Sequence, residues 1–151
     1  FGYGTYAFVV RDTSHLEPAI VFDMFTWDYA EGDQNNREMN IEISCWGDPA
    51  SKNAQYVVQP FYVPANVVRF MVPAGVLTHS FRWEPGKVSY KTVRGGVTDP
   101  ASEVISEHVF TAGVPAPGAE SVRMAIYIYG KTENPVQHDA EVVIEKFEYL
   151  P

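Results

Sequence analysis

The sequence predicts an all-β protein built as an antiparallel β-sandwich. Short runs rich in β-branched and aromatic residues recur from end to end, and 11 Gly and 11 Pro residues punctuate them. Hardly any segment shows the 3.6-residue apolar period that an amphipathic helix requires. Many short strands separated by turn residues are typical of a sandwich of two antiparallel sheets.

The strand pattern occurs in ten successive segments of the chain. They are residues 3–12, 19–28, 37–46, 53–59, 66–72, 78–83, 88–93, 104–111, 121–129 and 140–149. The second segment (AIVFDMFTWD) is apolar enough for a central strand, although Asp23 leaves one of its faces unsealed. The sequence EPGK between the sixth and seventh segments predicts a hairpin. The polar stretches 29–36 and 130–138 are predicted loops.

The segment 37–46 (REMNIEISCW) separates its side chains into two rows, because alternate residues of a strand point to opposite faces. The apolar row, predicted to face a core, is Met39, Ile41, Ile43 and Cys45. The other row is Glu38, Asn40, Glu42, Ser44 and Trp46. Two carboxylates beside an aromatic ring suit glycoside hydrolysis, which needs one acid for the leaving oxygen and one base or nucleophile. The same spacing also occurs on strand faces that are merely solvated.

The length of the chain indicates one globular domain, and its net negative charge argues against nucleic-acid and anionic-membrane partners. The 151 residues suffice for one substantial core, and the net charge of −8 comes without a cluster of Lys or Arg. We therefore expect no nucleic-acid partner and no anionic membrane partner. No run of about 18 apolar residues is present, so no membrane span is predicted. The expected state is a monomer.

Cysteine and histidine give no sign of a metal site. The single Cys45 leaves no intrachain disulfide, and its place in the apolar row predicts a small buried hydrophobe. The histidines lack metal-ligand spacing, so isolated surface or hydrogen-bonded side chains are expected; they are His15, His79, His108 and His138. We expect no metal and no other cofactor.

Four segments, in the same order along the chain, are similar to motifs of one enzyme family. Residues 3–6 (YGTY) resemble a Tyr-Gly-x-Tyr/Phe strand, and residues 38–42 (EMNIE) resemble a Glu-x-Asp-x-Glu catalytic strand. Residues 81–88 (FRWEPGKV) resemble an aromatic-x-Trp-x-Pro hairpin, and residues 123–127 (RMAIY) fall where a cleft-facing strand lies. The family is glycoside hydrolase family 16, the laminarinase, lichenase, agarase and xyloglucan-transferase group, which has a concanavalin A-like jelly-roll fold.

The resemblance implies an endo-acting hydrolase of β-glucan or galactan that retains anomeric configuration and acts outside the cell or at its surface. It implies that Glu38 is the nucleophile and Glu42 the acid/base, with Asn40 between them and the two carboxyl groups about 5–7 Å apart. The expected partner is a polysaccharide or oligosaccharide. Some relatives hold a structural calcium, but its usual ligands would lie upstream of residue 1. The expected sugar-binding rings are Trp46, Trp27, Tyr127 and Tyr129, whereas Trp83 is assigned to core or hairpin packing.

The chain departs from the family pattern in its catalytic strand. Asn40 stands where the family has Asp, and Asn36 stands where a Trp is often found. An amide at position 40 brings no charge between the two glutamates, so Glu42 is expected to have a lower pKa and to be a weaker proton donor. On that basis, Asn40→Asp is expected to raise activity near neutral pH.

Two other functions are compatible with the same residues. One is a non-catalytic, lectin-like carbohydrate-binding module that uses the same face. The other is a purely structural sandwich within a larger secreted protein. Hydrolysis of a glycan distinguishes the enzyme from the first, and saturable glycan binding distinguishes both from the second.

The start of the chain carries a further expectation. Relatives build their first strands from residues upstream of the YGTY motif, whereas only Phe1 and Gly2 precede it here. We expect either a trimmed part of a longer domain or a minimal variant, with apolar surface exposed along 142–149.

Overall fold

The computed structural model describes residues 1–30, 32, 34–96 and 101–151. In these residues ten strands form two antiparallel sheets of five strands each, which confirms the predicted all-β sandwich. Two 3₁₀ helices, Asn35–Arg37 and Pro64–Asn66, lie in the connections. The strands are β1 (Gly4–Val10), β2 (Ile20–Trp27), β3 (Met39–Ile43), β4 (Ala54–Val58), β5 (Val67–Phe70), β6 (Leu77–Glu84), β7 (Lys87–Arg94), β8 (Val104–Phe110), β9 (Ser121–Ile128) and β10 (Ile144–Leu150).

Each sheet has its strands in an order that differs from the order along the chain. One sheet, called here the β1 sheet, has the order β10-β1-β6-β7-β8, and the other, the β3 sheet, has the order β5-β4-β3-β2-β9. The predicted hairpin joins β6 to β7, and Gly86 in its turn has a φ of +67°, which glycine adopts without steric cost. Strand β3 is central in its sheet, so both of its edges are paired.

Alternate residues of the strands form the core between the two sheets. Met39, Ile41 and Ile43 of β3 are buried there, as the sequence predicts. Stacked rings from both sheets fill the centre, with Tyr56 and Tyr90 at 4.8 Å between ring centroids. Burying each large apolar side chain contributes roughly 1.5–3 kcal/mol. The core therefore supplies the stability on which the polar outer face of β3 depends.

Some local predictions need correction. Cys45 is half-buried, not buried in the core, because β3 ends at Ile43 and the alternation stops there. The predicted polar loop 29–36 ends in a 3₁₀ turn, and its residues Glu31 and Asp33 lie outside the described residues. Trp83 is fully buried in the core as predicted, and its indole N–H donates to the Pro115 carbonyl at 3.0 Å.

An exposed apolar row lies on the edge strand β9. Met124, Ile126 and Ile128 are between 43% and 60% exposed, although they pair directly with buried residues of β2. The sequence places exposed apolar surface along 142–149; there, Phe147 and Tyr149 are only partly buried against the core. Within the described residues, no helix has the length and apolar character needed to cross a membrane.

The loop 130–138 docks against Gly47, the residue that follows the segment 37–46. Thr132 Oγ1 and Asn134 Nδ2 both donate to the Gly47 carbonyl at 2.9 Å, and the Gly47 N–H donates to the Pro18 carbonyl at 2.8 Å. Gly47 has a φ of +78°, and a Cβ atom there would lie 2.3 Å from Thr132. Only glycine fits this contact, which fixes the chain directly after Trp46.

We expect Gly47→Ala to lower the free energy of unfolding by about 2 kcal/mol or more, because left-handed strain and a steric clash add together. Gly86→Ala is the matched control: its φ is also positive, but no atom lies within 4 Å of the added methyl group. That variant should lose only about 1 kcal/mol. Urea unfolding of both variants measures the difference, and equal losses would contradict the docking role of Gly47.

Candidate functional site

An open cleft runs over the face of the β3 sheet that points away from the core. Its volume is ≈ 540 Å³. It combines acidic, amide and aromatic side chains with one arginine, a composition suited to a neutral polar ligand with flat apolar faces. The lining residues are Asp23, Glu38, Glu42, Trp46, Gln55, Gln59, Phe61, Arg69, Tyr127 and Tyr129.

The strand register brings four polar side chains from four strands into one row across the cleft floor. Asp23 of β2 pairs with Glu42 of β3, Glu42 pairs with Gln55 of β4, and Gln55 pairs with Arg69 of β5. Residues directly opposite each other in a sheet have Cβ atoms about 4.5–5.5 Å apart. The row therefore has two adjacent carboxyl groups, then an amide, then a guanidinium group.

Glu38 is placed at the cleft by the turn that precedes β3. Asn35, Asn36 and Arg37 all have left-handed backbone angles, with φ of 47°, 59° and 51°. Asp28 holds this turn, because its side chain accepts from Arg37 Nη1 at 2.7 Å and its backbone N–H donates to the Asn36 carbonyl. Asparagine tolerates left-handed geometry better than most residues, which explains its use here.

Asn40 is buried between three polar side chains and uses its whole amide group. Its Nδ2 donates to Glu38 Oε1 at 2.8 Å and to Asp23 Oδ2 at 3.0 Å. Its Oδ1 accepts from Gln59 Nε2 at 3.1 Å. Asn40 thus joins the carboxyl group of Glu38 to that of Asp23, and both side chains are fixed by one amide.

Glu42 is held in a different environment from Glu38. Its Oε2 accepts from Gln55 Nε2 at 2.6 Å. Burial raises the pKa of Glu42 to about 7, and the charge of Glu38 adds to this rise, while Gln55 and Arg69 act against it. Burial also raises the pKa of Glu38, but the hydrogen bond from Asn40 favours its ionised form.

Asp23 has the most unusual environment of the three acids. It is buried at the base of the cleft, and burial together with the charge of Glu42 raises its pKa well above the ordinary range. Burial and the charge of the nearby Glu42 also raise the pKa of the Tyr127 phenol. The cleft floor therefore disfavours a further negative charge.

The aromatic predictions divide into two groups. Trp46, Tyr127 and Tyr129 all line the cleft, with the rings of Trp46 and Tyr129 at 5.7 Å and nearly perpendicular. Trp27 is not among the lining residues; its ring packs edge-on against Tyr29 at 6.3 Å. Trp27 ends β2, so its position in the chain takes it away from the three acids.

The structure adds cleft residues that the sequence does not single out, namely Asp23, Gln55, Gln59, Phe61 and Arg69. A signal for three of them is present in the sequence. Asp23 interrupts an apolar strand, Gln55 is the one polar residue of β4, and Gln59 directly follows β4. Polar residues at alternate positions of otherwise apolar strands indicate a polar face. Which of these faces meet is decided by strand pairing, and the sequence pattern does not show that.

Comparison with known proteins does not assign this site. No protein-family model matches the chain, and no curated protein matches it. In the part of the chain that the structure describes, no group of three or more His, Cys, Asp or Glu side chains is arranged to hold a metal ion.

The raised pKa of Glu42 predicts a pH dependence of stability. Between the ordinary value of 4.5 and about 7, folded Glu42 keeps a proton that the unfolded chain has released. The free energy of unfolding therefore decreases as pH rises through this window, by about 2–3 kcal/mol for Glu42 alone.

Urea unfolding at pH 4.5 and pH 8 should show this decrease in the wild type and a smaller one in Glu42→Gln, whose amide carries no titrating proton. Glu107→Gln, at an exposed position of β8, is the control and should behave as the wild type does. An identical pH dependence in Glu42→Gln and the wild type would contradict the raised pKa.

Proposed function

We propose that this protein is a retaining glycoside hydrolase that cleaves internal β-linkages of a β-glucan or galactan. One observation carries the proposal: Glu38 and Glu42 line the same open, aromatic-lined cleft, where Asn40 donates to Glu38 and burial raises the pKa of Glu42 to about 7. Glycoside hydrolysis needs two carboxyl groups in one cleft, one of which keeps a proton near neutral pH. The resemblance of residues 38–42 to a Glu-x-Asp-x-Glu strand supports the same assignment.

In the first step a carboxylate oxygen of Glu38 attacks the anomeric carbon. The glycosidic C–O bond breaks, and the departing oxygen takes the proton of Glu42. The product is a glycosyl ester of Glu38, and Glu42 is left as a carboxylate. The pKa of Glu42, about 7, keeps this proton available near neutral pH.

In the second step Glu42 acts as a base. It takes a proton from water, and the water oxygen attacks the anomeric carbon and breaks its bond to Glu38. Two inversions give net retention, and both carboxyl groups return to their starting states. Asn40 donates to Glu38 throughout, which holds the attacking oxygen and stabilises the carboxylate that is released.

Aromatic rings around the acids provide the binding surface. Trp46, Tyr127 and Tyr129 line one part of the cleft, and Phe61 lines it beyond β4. Flat rings bury the apolar faces of sugars while hydroxyl groups reach the polar floor. Phe61 is 66% exposed, so its ring is available to a ligand at the edge of the cleft.

A carbohydrate-binding module without turnover is the second candidate. The observation that favours it is the amide at position 40, which stands where the similar motif has an acid. The same rings and hydrogen-bonding groups would then bind a glycan without bond cleavage. Binding with no release of reducing ends distinguishes this candidate from the hydrolase.

We expect Glu38→Gln and Glu42→Gln each to lower turnover by at least about a hundredfold, because each removes a group that reacts directly with the substrate. The assay is release of reducing ends from a panel of β-glucans and galactans, with Glu107→Gln as the surface control. Proton NMR of the first product should show the β-anomer. First formation of the α-anomer would exclude retention, and full activity of either variant would remove that glutamate from the mechanism.

We expect Phe61→Ala to weaken glycan binding by about tenfold, since the loss of one stacked ring costs about 1–1.5 kcal/mol. Tyr62→Ala is the matched control, because Tyr62 is 75% exposed beside Phe61 but is not among the lining residues. Calorimetry with an oligosaccharide and the inactive Glu38→Gln variant as background measures both. Equal effects of the two substitutions would place the binding surface elsewhere.

A further inference from the structure

We propose that Gln59 is a positioning residue that sets the direction of the Asn40 amide group and thereby keeps a hydrogen-bond donor on Glu38. The inference rests on the proposed hydrolase function, since Glu38 is the nucleophile of that proposal. Gln59 directly follows β4, so the residue lies outside the strand segment that carries the two glutamates.

The contacts of Gln59 join the catalytic segment to the chain after β4. Its backbone N–H donates to the Glu38 carbonyl at 3.2 Å, which extends the pairing of β3 with β4 by one residue. Its side-chain Nε2 donates to Asn40 Oδ1 at 3.1 Å, and its Oε1 accepts from the Phe61 N–H at 2.8 Å. Both ends of the Gln59 amide are therefore used.

The direction of these hydrogen bonds follows from the Phe61 end. A side-chain amide has one donor end and one acceptor end, whereas a backbone N–H can only donate. The N–H of Phe61 therefore requires the oxygen of Gln59 on its side, and the nitrogen of Gln59 then requires the oxygen of Asn40. The nitrogen of Asn40 is left for Glu38 at 2.8 Å and for Asp23 at 3.0 Å.

The opposite direction of the Asn40 amide would harm the nucleophile. The oxygen of Asn40 would then face the carboxyl group of Glu38, and two acceptors would meet. Asn40 is buried, so water is not free to supply the missing donor. An ionised Glu38 would lose the hydrogen bond that favours its charged form.

The segment after Gln59 is itself held in place. The Pro60 carbonyl accepts from Asn66 Nδ2 and from the Val63 N–H, each at 3.2 Å. These bonds fix the start of the segment and with it the Phe61 N–H. Phe61 thus offers its ring to the cleft and its N–H to a series of hydrogen bonds that ends at Glu38.

Other charged groups near Glu38 have to be kept constant in a test of this role. Titratable or charged side chains from β2, β3, β5, β9 and the residue after β9 line the same cleft, namely Asp23, Glu42, Arg69, Tyr127 and Tyr129. A neutral substitution at position 59 leaves all of these groups in place. A change in the pKa of Glu38 then reports on the hydrogen bond from Asn40.

Two substitutions of Gln59 separate hydrogen bonding from charge. Gln59→Met is similar in size to glutamine, has neither donor nor acceptor end and adds no charge. Gln59→Glu has no donor for Asn40 when ionised, but its protonated form has one donor and one acceptor, as the amide does. Gln137→Met and Gln137→Glu are the matched controls, at an exposed glutamine that does not line the cleft.

The first readout needs no glycan. It is carbon-13 NMR titration of the Glu38 carboxyl group, assigned by its absence in Glu38→Gln. We expect Gln59→Met to raise the pKa of Glu38 by about one unit, because the donor on the ionised form is no longer held there. The Gln137 variants should leave this pKa unchanged, and so should Phe61→Ala, which keeps the backbone N–H.

The second readout is the pH profile of kcat and KM on a glycan that the wild type cleaves. Gln59→Met should lower kcat by about tenfold with little change in KM and move the acid limb toward neutral pH. Gln59→Glu should approach the wild-type rate at about pH 4 and fall at least about tenfold below it by about pH 7, as the introduced carboxyl group ionises. Recovery at acid pH shows that this variant is folded.

The outcomes separate the positioning role from the hydrolase proposal. An unchanged Glu38 titration in Gln59→Met, or a Gln59→Glu rate that stays in constant ratio to the wild type across the pH range, would overturn the inference. A raised pKa of Glu38 in Gln59→Met, in a protein whose wild type cleaves no glycan, would support the positioning role and count against the hydrolase proposal alone.

Discussion

The cleft depends on the amide group of Asn40. Three carboxyl groups lie in or beside the floor of the β3 sheet, and burying an unpaired carboxylate costs several kcal/mol. Asn40 bonds to two of these groups and Gln55 bonds to the third. Neutral amide donors lower the cost of the acids without neutralising them by full ion pairing. This leaves the acids able to gain and lose protons, which a bidentate arginine pair would prevent.

Strand β3 serves both the core and the cleft, so stability and chemistry are linked in one segment. Its apolar row is sealed between the sheets, while Asn40 and Glu42 on the opposite row are also buried. Because burial raises the pKa of Glu42, its ionisation at neutral pH lowers the free energy of unfolding. Burial of the aromatic core around Tyr56 and Tyr90 offsets this loss. Buried ionisable groups at functional sites commonly lower the stability of the fold.

The strands and turns were predictable from the sequence because the patterns that specify them lie within short segments of the chain. Period-two alternation and turn residues depend on neighbours in the chain, and each predicted segment contains a strand. The position of Glu38 and Glu42 in one cleft was predictable for the same reason. Asp23 and Arg69 were not, because their meeting with Glu42 is set by register between strands that are distant in sequence. Cys45 was wrongly assigned to the core since alternation does not show where a strand ends.

Strand pairing places the third acid, Asp23, nearer to Glu42 than the chain neighbours of Glu42 on its own face. Residues two apart on one strand are separated by about 6.6 Å, whereas directly opposed residues have Cβ atoms about 4.5–5.5 Å apart. An acid at 23 is therefore closer to Glu42 than an acid at 40 would be. Asn40 bonds to both Asp23 and Glu38, so one amide group fixes the positions of these two carboxyl groups.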